Sequence, residues 1–189
     1  MDDQTLFRAA GLSAALAIPL LIVSGIALAL FFGGQGAFWG PVNDVFLALT
    51  CLALLLPIVA VDRLAGDSAS WMRWVSIVAF AGCVLVAVGQ VALVLGIIDL
   101  QTSFVTGGVG FLGLVVWMVA LVVLAFGVGV LPPAIGWLSA ITLGVIVLEA
   151  VVAMATTGVA LWVASLVLVL GIVGWLWSIG AGLLARASA

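Results

Sequence analysis

Glu149 is the one ionisable residue deep inside an apolar run, about 10 Å below the outer boundary of its helix when counted by helical rise. A bare carboxylate there is costly, so it requires water, a partner or a proton. On the same run Ser139, Thr142, Glu149 and Thr156 fall within an arc of about 100°, a shared polar face expected to turn inward. Ser76, Cys83 and Gln90 form a matching stripe on another run, spaced by seven residues and drifting only about 20° per step. That stripe carries Gln90 to nearly the depth of Glu149. Counted the same way, Ser24, Thr50 with Cys51, Trp117 and Ser165 join them in a layer roughly 8 to 12 Å below the outer surface, and Asp44 and Asp99 stand above it.

Two chemistries fit this layer. In one, it is a substrate or proton site opening outward, where Glu149 takes up and releases a proton or holds a cationic solute and Gln90 orients it. In the other, a protonated Glu149 donates to Gln90 or to a carbonyl, and the hydroxyls cement helix contacts. Trp117 is expected to serve packing, with a ligand-stacking wall as the alternative. The missing residue types exclude more. The chain has no His, no Lys and no Tyr, so a bis-histidine haem, a histidine-ligated metal, a retinal Schiff base and an imidazole relay cannot be built. Serine hydrolysis lacks its usual base, and no cofactor or metal is expected. Cys51 and Cys83 count to depths about 9 Å apart, too far for a disulfide, and read as small buried residues easing helix contact.

The elements that position these residues follow from composition. With 68% hydrophobic and 6% charged residues, the chain has too little polar surface to face water all round, so lipid is its expected solvent. The net charge of −3 arises from seven acids against four arginines and gives no basic surface for nucleic acid. Apolar runs predict six membrane helices over about residues 9–32, 42–61, 74–98, 108–130, 134–156 and 159–184. Proline opens the second at Gly40-Pro41 and divides a long uncharged stretch at Pro132-Pro133. The first run exceeds a secretory core in length and is expected to be retained; cleavage near Gly33 would leave five crossings. Asp99, Gln101, Thr102 and Ser103 are expected to form an outer turn, and Thr156-Thr157-Gly158 a second. Pro19 and Pro57 each free a carbonyl and permit a kink. The Gly107, Gly108, Gly110 and Gly113 cluster reads as a packing surface, or as a bend at the entry to helix four.

Arg8, Arg63, Arg73 and Arg186 all fall in gaps that six crossings place on one side, which predicts both termini in the cytoplasm. Tryptophan agrees: Trp39 and Trp162 count to the outer boundary, and Trp71, Trp74 and Trp137 to the inner one. Inverted three-plus-three halves are permitted, with only Gly40-Pro41 and Pro132-Pro133 as similar starts.

Arg8 with Gly11-Leu12, Gly40-Pro41 with Asn43-Asp44, and Leu131-Pro132 followed by Ile135-Gly136-Trp137 form a pattern that resembles uncharacterised prokaryotic six-helix membrane proteins of the domain-of-unknown-function kind. Pro133 departs from that pattern, where a basic residue is expected. The resemblance implies a bacterial or archaeal plasma membrane and assigns no activity. The expectation is therefore an all-α, single-domain, multi-pass bundle with three open roles. The first is a non-enzymatic scaffold, sensor or accessory subunit, whose partners are the bilayer and a membrane protein or a second copy of itself. The second is a small proton- or cation-coupled transporter or channel using Glu149, Gln90, Thr50, Ser24, Asp44 and Trp117. The third, an intramembrane enzyme, lacks a nucleophile and base pair.

Overall fold

Each apolar run becomes a helix because nothing in it competes for the backbone, and the boundaries are set by the few residues that do. In a computed structural model, which describes residues 2–155 and 159–188, these are α1 (Asp3–Phe32), α2 (Trp39–Ala65), α3 (Met72–Val94), α4 (Leu100–Val123), α5 (Pro133–Ala155) and α6 (Val159–Ala187). The turn expected at Thr156-Thr157-Gly158, and the side chains of Thr156 and Trp162, lie outside the described residues. Among the described residues six helices are long and apolar enough to cross a membrane.

Several ends differ from expectation, for local reasons. α1 begins at Asp3 rather than at 9 because the Asp2 carboxylate accepts the Thr5 N–H at 2.7 Å and caps the first turn. α4 begins at Leu100 rather than at 108 because Asp99 does the same for Thr102 at 2.8 Å, so the expected outer turn at 99–103 is the first turn of a helix. α3 stops at Val94, ahead of Gly96 at φ +69°, a conformation that suits glycine. α4 widens into a π-helical turn at Leu124–Val128 and ends on Gly129 at φ +73°, after which Pro133 starts α5.

The helices form a ring in which each packs on its neighbours in sequence and α6 closes on α1. Close approach depends on small residues. A Cβ at Gly11 would lie 2.7 Å from Leu184 Cγ, one at Gly113 would lie 2.8 Å from the Val78 carbonyl, and one at Gly82 would collide with the Gly110 carbonyl. Pro57 leaves the Ala53 carbonyl without its helical donor, and Ser13 of α1 supplies one at 2.7 Å. The expected depth offset between the two cysteines is not found: the Cys83 thiol lies against that of Cys51, both buried and both free. α2 begins earlier and α3 ends earlier than counting allowed, which brings the two positions level.

One end of the ring gathers the termini and the arginines. Arg63 pairs with Asp3 at 3.0 Å, Arg73 pairs with Asp62 at 2.8 Å, and Arg186 donates to the Val130 carbonyl at 3.1 Å. Exposed pairs of this kind add about 0–1 kcal/mol each, so they mark this end more than they hold it. The half of the bundle beside it is solid, with Ile58, Val61, Met72, Leu121, Leu124 and Ile179 fully or almost fully buried. Trp71, Trp74 and Trp137 are exposed near this end and Trp39 lies at the other, as counting predicts. Elsewhere the surface carries large apolar side chains from every helix, among them Leu16, Leu52, Val88, Leu112, Val147 and Leu170.

Candidate functional site

The half of the bundle away from the arginines is hollow. A cavity of about 700 Å³ is bounded by all six helices, within the roughly 300–1,000 Å³ of small-molecule sites. α1 contributes Ser24 and Phe31, α2 Asn43, Asp44, Thr50 and Cys51, α3 Val86 and Gln90, and α4 Phe104, Gly107 and Phe111. Among the described residues α5 contributes Glu149 alone, and α6 contributes Ser165, Leu168 and Trp175. The lining reaches the helix ends at Phe32, Gly40 and Leu100. Below, the solid half closes it.

The polar groups sit in two sets. Ser24 donates to Asn43 Oδ1 at 2.8 Å, and Asn43 Nδ2 donates to Asp44 Oδ1 at 3.0 Å, so a relay from α1 to α2 holds the Asp44 carboxyl at the wall. On the other side Ser165 of α6 donates to Glu149 Oε1 at 2.7 Å. Gln90 is only 8% exposed, lines the cavity, and makes no hydrogen bond to any described residue. Its amide is not sealed off in the core: its free donors and acceptor face the hollow. Thr50 spends its hydroxyl on its own helix, donating to the Phe46 carbonyl at 2.8 Å.

Of the residues expected in one layer, Ser24, Thr50, Cys51, Gln90, Glu149 and Ser165 all line this cavity, as does Asp44. Glu149 and Gln90 share it, but the hydrogen bond of Glu149 goes to Ser165. Asp99 is not at the wall. Hydrogen bonds from Thr102 hold its carboxyl below the usual aspartate range, as befits a cap. Trp117 lies beneath the cavity, fully buried, its ring edge-on to Trp175 at 5.7 Å between centroids and its Nε1 without a partner. The aromatic wall is Trp175 instead. Its Nε1 donates to Ser139 at 3.0 Å, and Ser139 donates to the Ile135 carbonyl at 2.7 Å, so the ring is fixed from α5. The inward polar face on α5 thus begins as expected, with Ser139 and Thr142 buried. Sequence reasoning missed Trp175 because α6 carries Trp175 and Trp177 two residues apart, and no polar periodicity says which turns inward. The role of Asn43 was hidden because only packing brings Ser24 of α1 against it.

The charge is one-sided. Asp44 and Glu149 are the ionisable carboxyls of the lining, which includes no arginine. Comparison with known proteins gives no matching family model, no similar curated protein and no similar solved structure.

Proposed function

We propose that this chain is a small membrane-embedded carrier or receptor that admits a solute into the hollow half of its bundle, where Glu149 holds a proton or a cation. The observation that carries this is the cavity itself: confined to the half away from the arginines, lined up to the helix ends at Phe32, Gly40 and Leu100, and presenting two carboxyls and an unpartnered amide from mainly apolar walls. A scaffold held together by packing alone has no need of such a hollow. The bundle lies in a prokaryotic plasma membrane with the arginine end in the cytoplasm, by the positive-inside rule and the resemblance noted above. The cavity then faces outward. The role we propose is not enzymatic.

Cys51 tests this directly, because it lines the cavity while Cys83 is fully buried. In a Cys83→Ala background reconstituted into vesicles, a membrane-impermeant trimethylammonium thiosulfonate reagent should modify Cys51 from the side opposite the termini. Labelling only after denaturation would sink the proposal. The scaffold or accessory role has one observation in its favour: beyond Thr142 no described side chain of α5 is buried. In that case a partner covers α5, and Cys51 stays unreactive in the native complex.

A further inference from the structure

The placement of α4 and α5 says more about what enters the cavity, taking for granted that the cavity is a solute site. α4 turns Gly110, Gly113 and Trp117 to one side, where a Cβ at Gly110 or Gly113 would strike α3. About 100° around that helix, Phe111, Leu114 and Met118 face the cavity. Farther round, on the side away from α3 and so toward α5, comes Gly108. It lines the cavity, is exposed, and would meet no described residue within 4 Å if it carried a Cβ. Near the arginine end α5 holds α4 closely: Gly136 packs on Ala125, and the Phe126 and Trp137 rings meet at 5.2 Å. At the other end Val147, Leu148, Val151 and Met154 are exposed, and of the described residues there Glu149 alone reaches the cavity.

The geometry points to a side entrance between α4 and α5 through which an amphiphilic amine passes from the bilayer, its ammonium group settling among Asp44, Glu149 and Gln90. Three features select this class. The walls are mainly apolar and include Phe31, Phe104, Phe111 and Trp175, which favours an alkyl or aryl body and attracts a cation to the ring faces. The charged groups of the lining among the described residues are carboxyls at Asp44 and Glu149, with the arginines at the far end of the bundle. Gln90, buried and unpartnered, offers a carbonyl that an ammonium N–H can reach and that no protein donor occupies. An anion would meet repulsion, and a neutral alcohol would leave the carboxyls without a counter-charge.

The experiment measures protection of Cys51 in the Cys83→Ala protein, in nanodiscs of zwitterionic lipid, against the neutral reagent methyl methanethiosulfonate. The protectants are dodecylammonium, dodecanol and dodecyl sulfate, matched in chain length. Dodecylammonium should protect at concentrations at least about tenfold lower than the other two. Glu149→Gln and Asp44→Asn should each erase most of that preference. Gln90→Met loses no protein hydrogen bond, so it should keep the fold and still weaken protection. Gly108→Leu should slow the onset of protection severalfold by narrowing the entrance. Equal protection by the three compounds, or a preference that survives both carboxyl substitutions, overturns the amine; an unchanged onset in Gly108→Leu overturns the side entrance. A Cys51 that is unreactive with no amphiphile present overturns the cavity reading itself and is thereby distinguished from the other outcomes.

Discussion

At the scale of single residues, the same side-chain chemistry serves opposite ends according to where it stands. Asp44 and Glu149 face the cavity, whereas Asp2 and Asp99 are spent on helix starts, accepting the N–H of Thr5 and Thr102. Both capping carboxyls are held below the usual aspartate range, Asp2 chiefly by the Thr5 N–H and Asp99 chiefly by the Thr102 side chain and then its N–H. A depressed folded value means that the stabilisation is present above the unfolded value and is lost as pH falls through the folded one. Amide protection in the first turn of α4, taken relative to the intrinsic exchange rate at each pH, should therefore fall below about pH 4. Asp99→Asn keeps a capping oxygen but removes the charge, so its protection should lose that pH dependence; identical profiles in the two proteins would contradict this account of the cap. The cysteines illustrate what counting residues misses, since their thiols meet although helical rise from the expected starts separated them.

At the scale of elements, the glycines of α4 divide by direction. Gly110 and Gly113 are contact surfaces, and Gly108 is open. A Cβ at Gly110 would stand 2.6 Å from both the Gly82 carbonyl and Val86 Cγ2, so Gly110→Leu should lower stability by about 1–3 kcal/mol or prevent folding. Gly108→Leu, the same change two residues earlier on the same helix, should leave the thermal midpoint in detergent almost unchanged. Equal losses would mean that α4 is rotated from the orientation described. The glycine spacing was visible in the sequence, but the sequence did not divide the cluster between packing and opening. Interior prolines behave similarly. Pro57 was legible as a helix defect, and its remedy, the hydroxyl of Ser13 on another helix, was not.

At the scale of the whole molecule, the bundle is asymmetric along its axis: solid and arginine-bearing at one end, hollow and acidic at the other. That asymmetry gives the proposed orientation a test. Reporters fused after Ala189 or placed within residues 66–71 should read as cytoplasmic, and reporters within residues 33–38 or near Gly96 as external. A cytoplasmic reading at 33–38 would turn the cavity to face inward and reverse the direction of uptake.

The number of helices, the end at which the arginines gather and the candidacy of Glu149, Gln90 and Asp44 followed from the sequence alone. Each depends on a local property: the length of an apolar run, the cost of a charge within it, the rise per residue. The layer of polar residues was legible for the same reason. What occupies that layer was decided only by the tertiary structure, because whether six helices meet at one depth or stand apart depends on how close each pair can come. Glycines draw α3 and α4 together, and α5 packs on α4 near the arginine end, so that at the depth where counting placed the polar layer, open to either reading, the helices surround a cavity. Trp175 rather than Trp117 became its aromatic wall by the same cause, since the rotation of a helix that is apolar on every side is set by its neighbours.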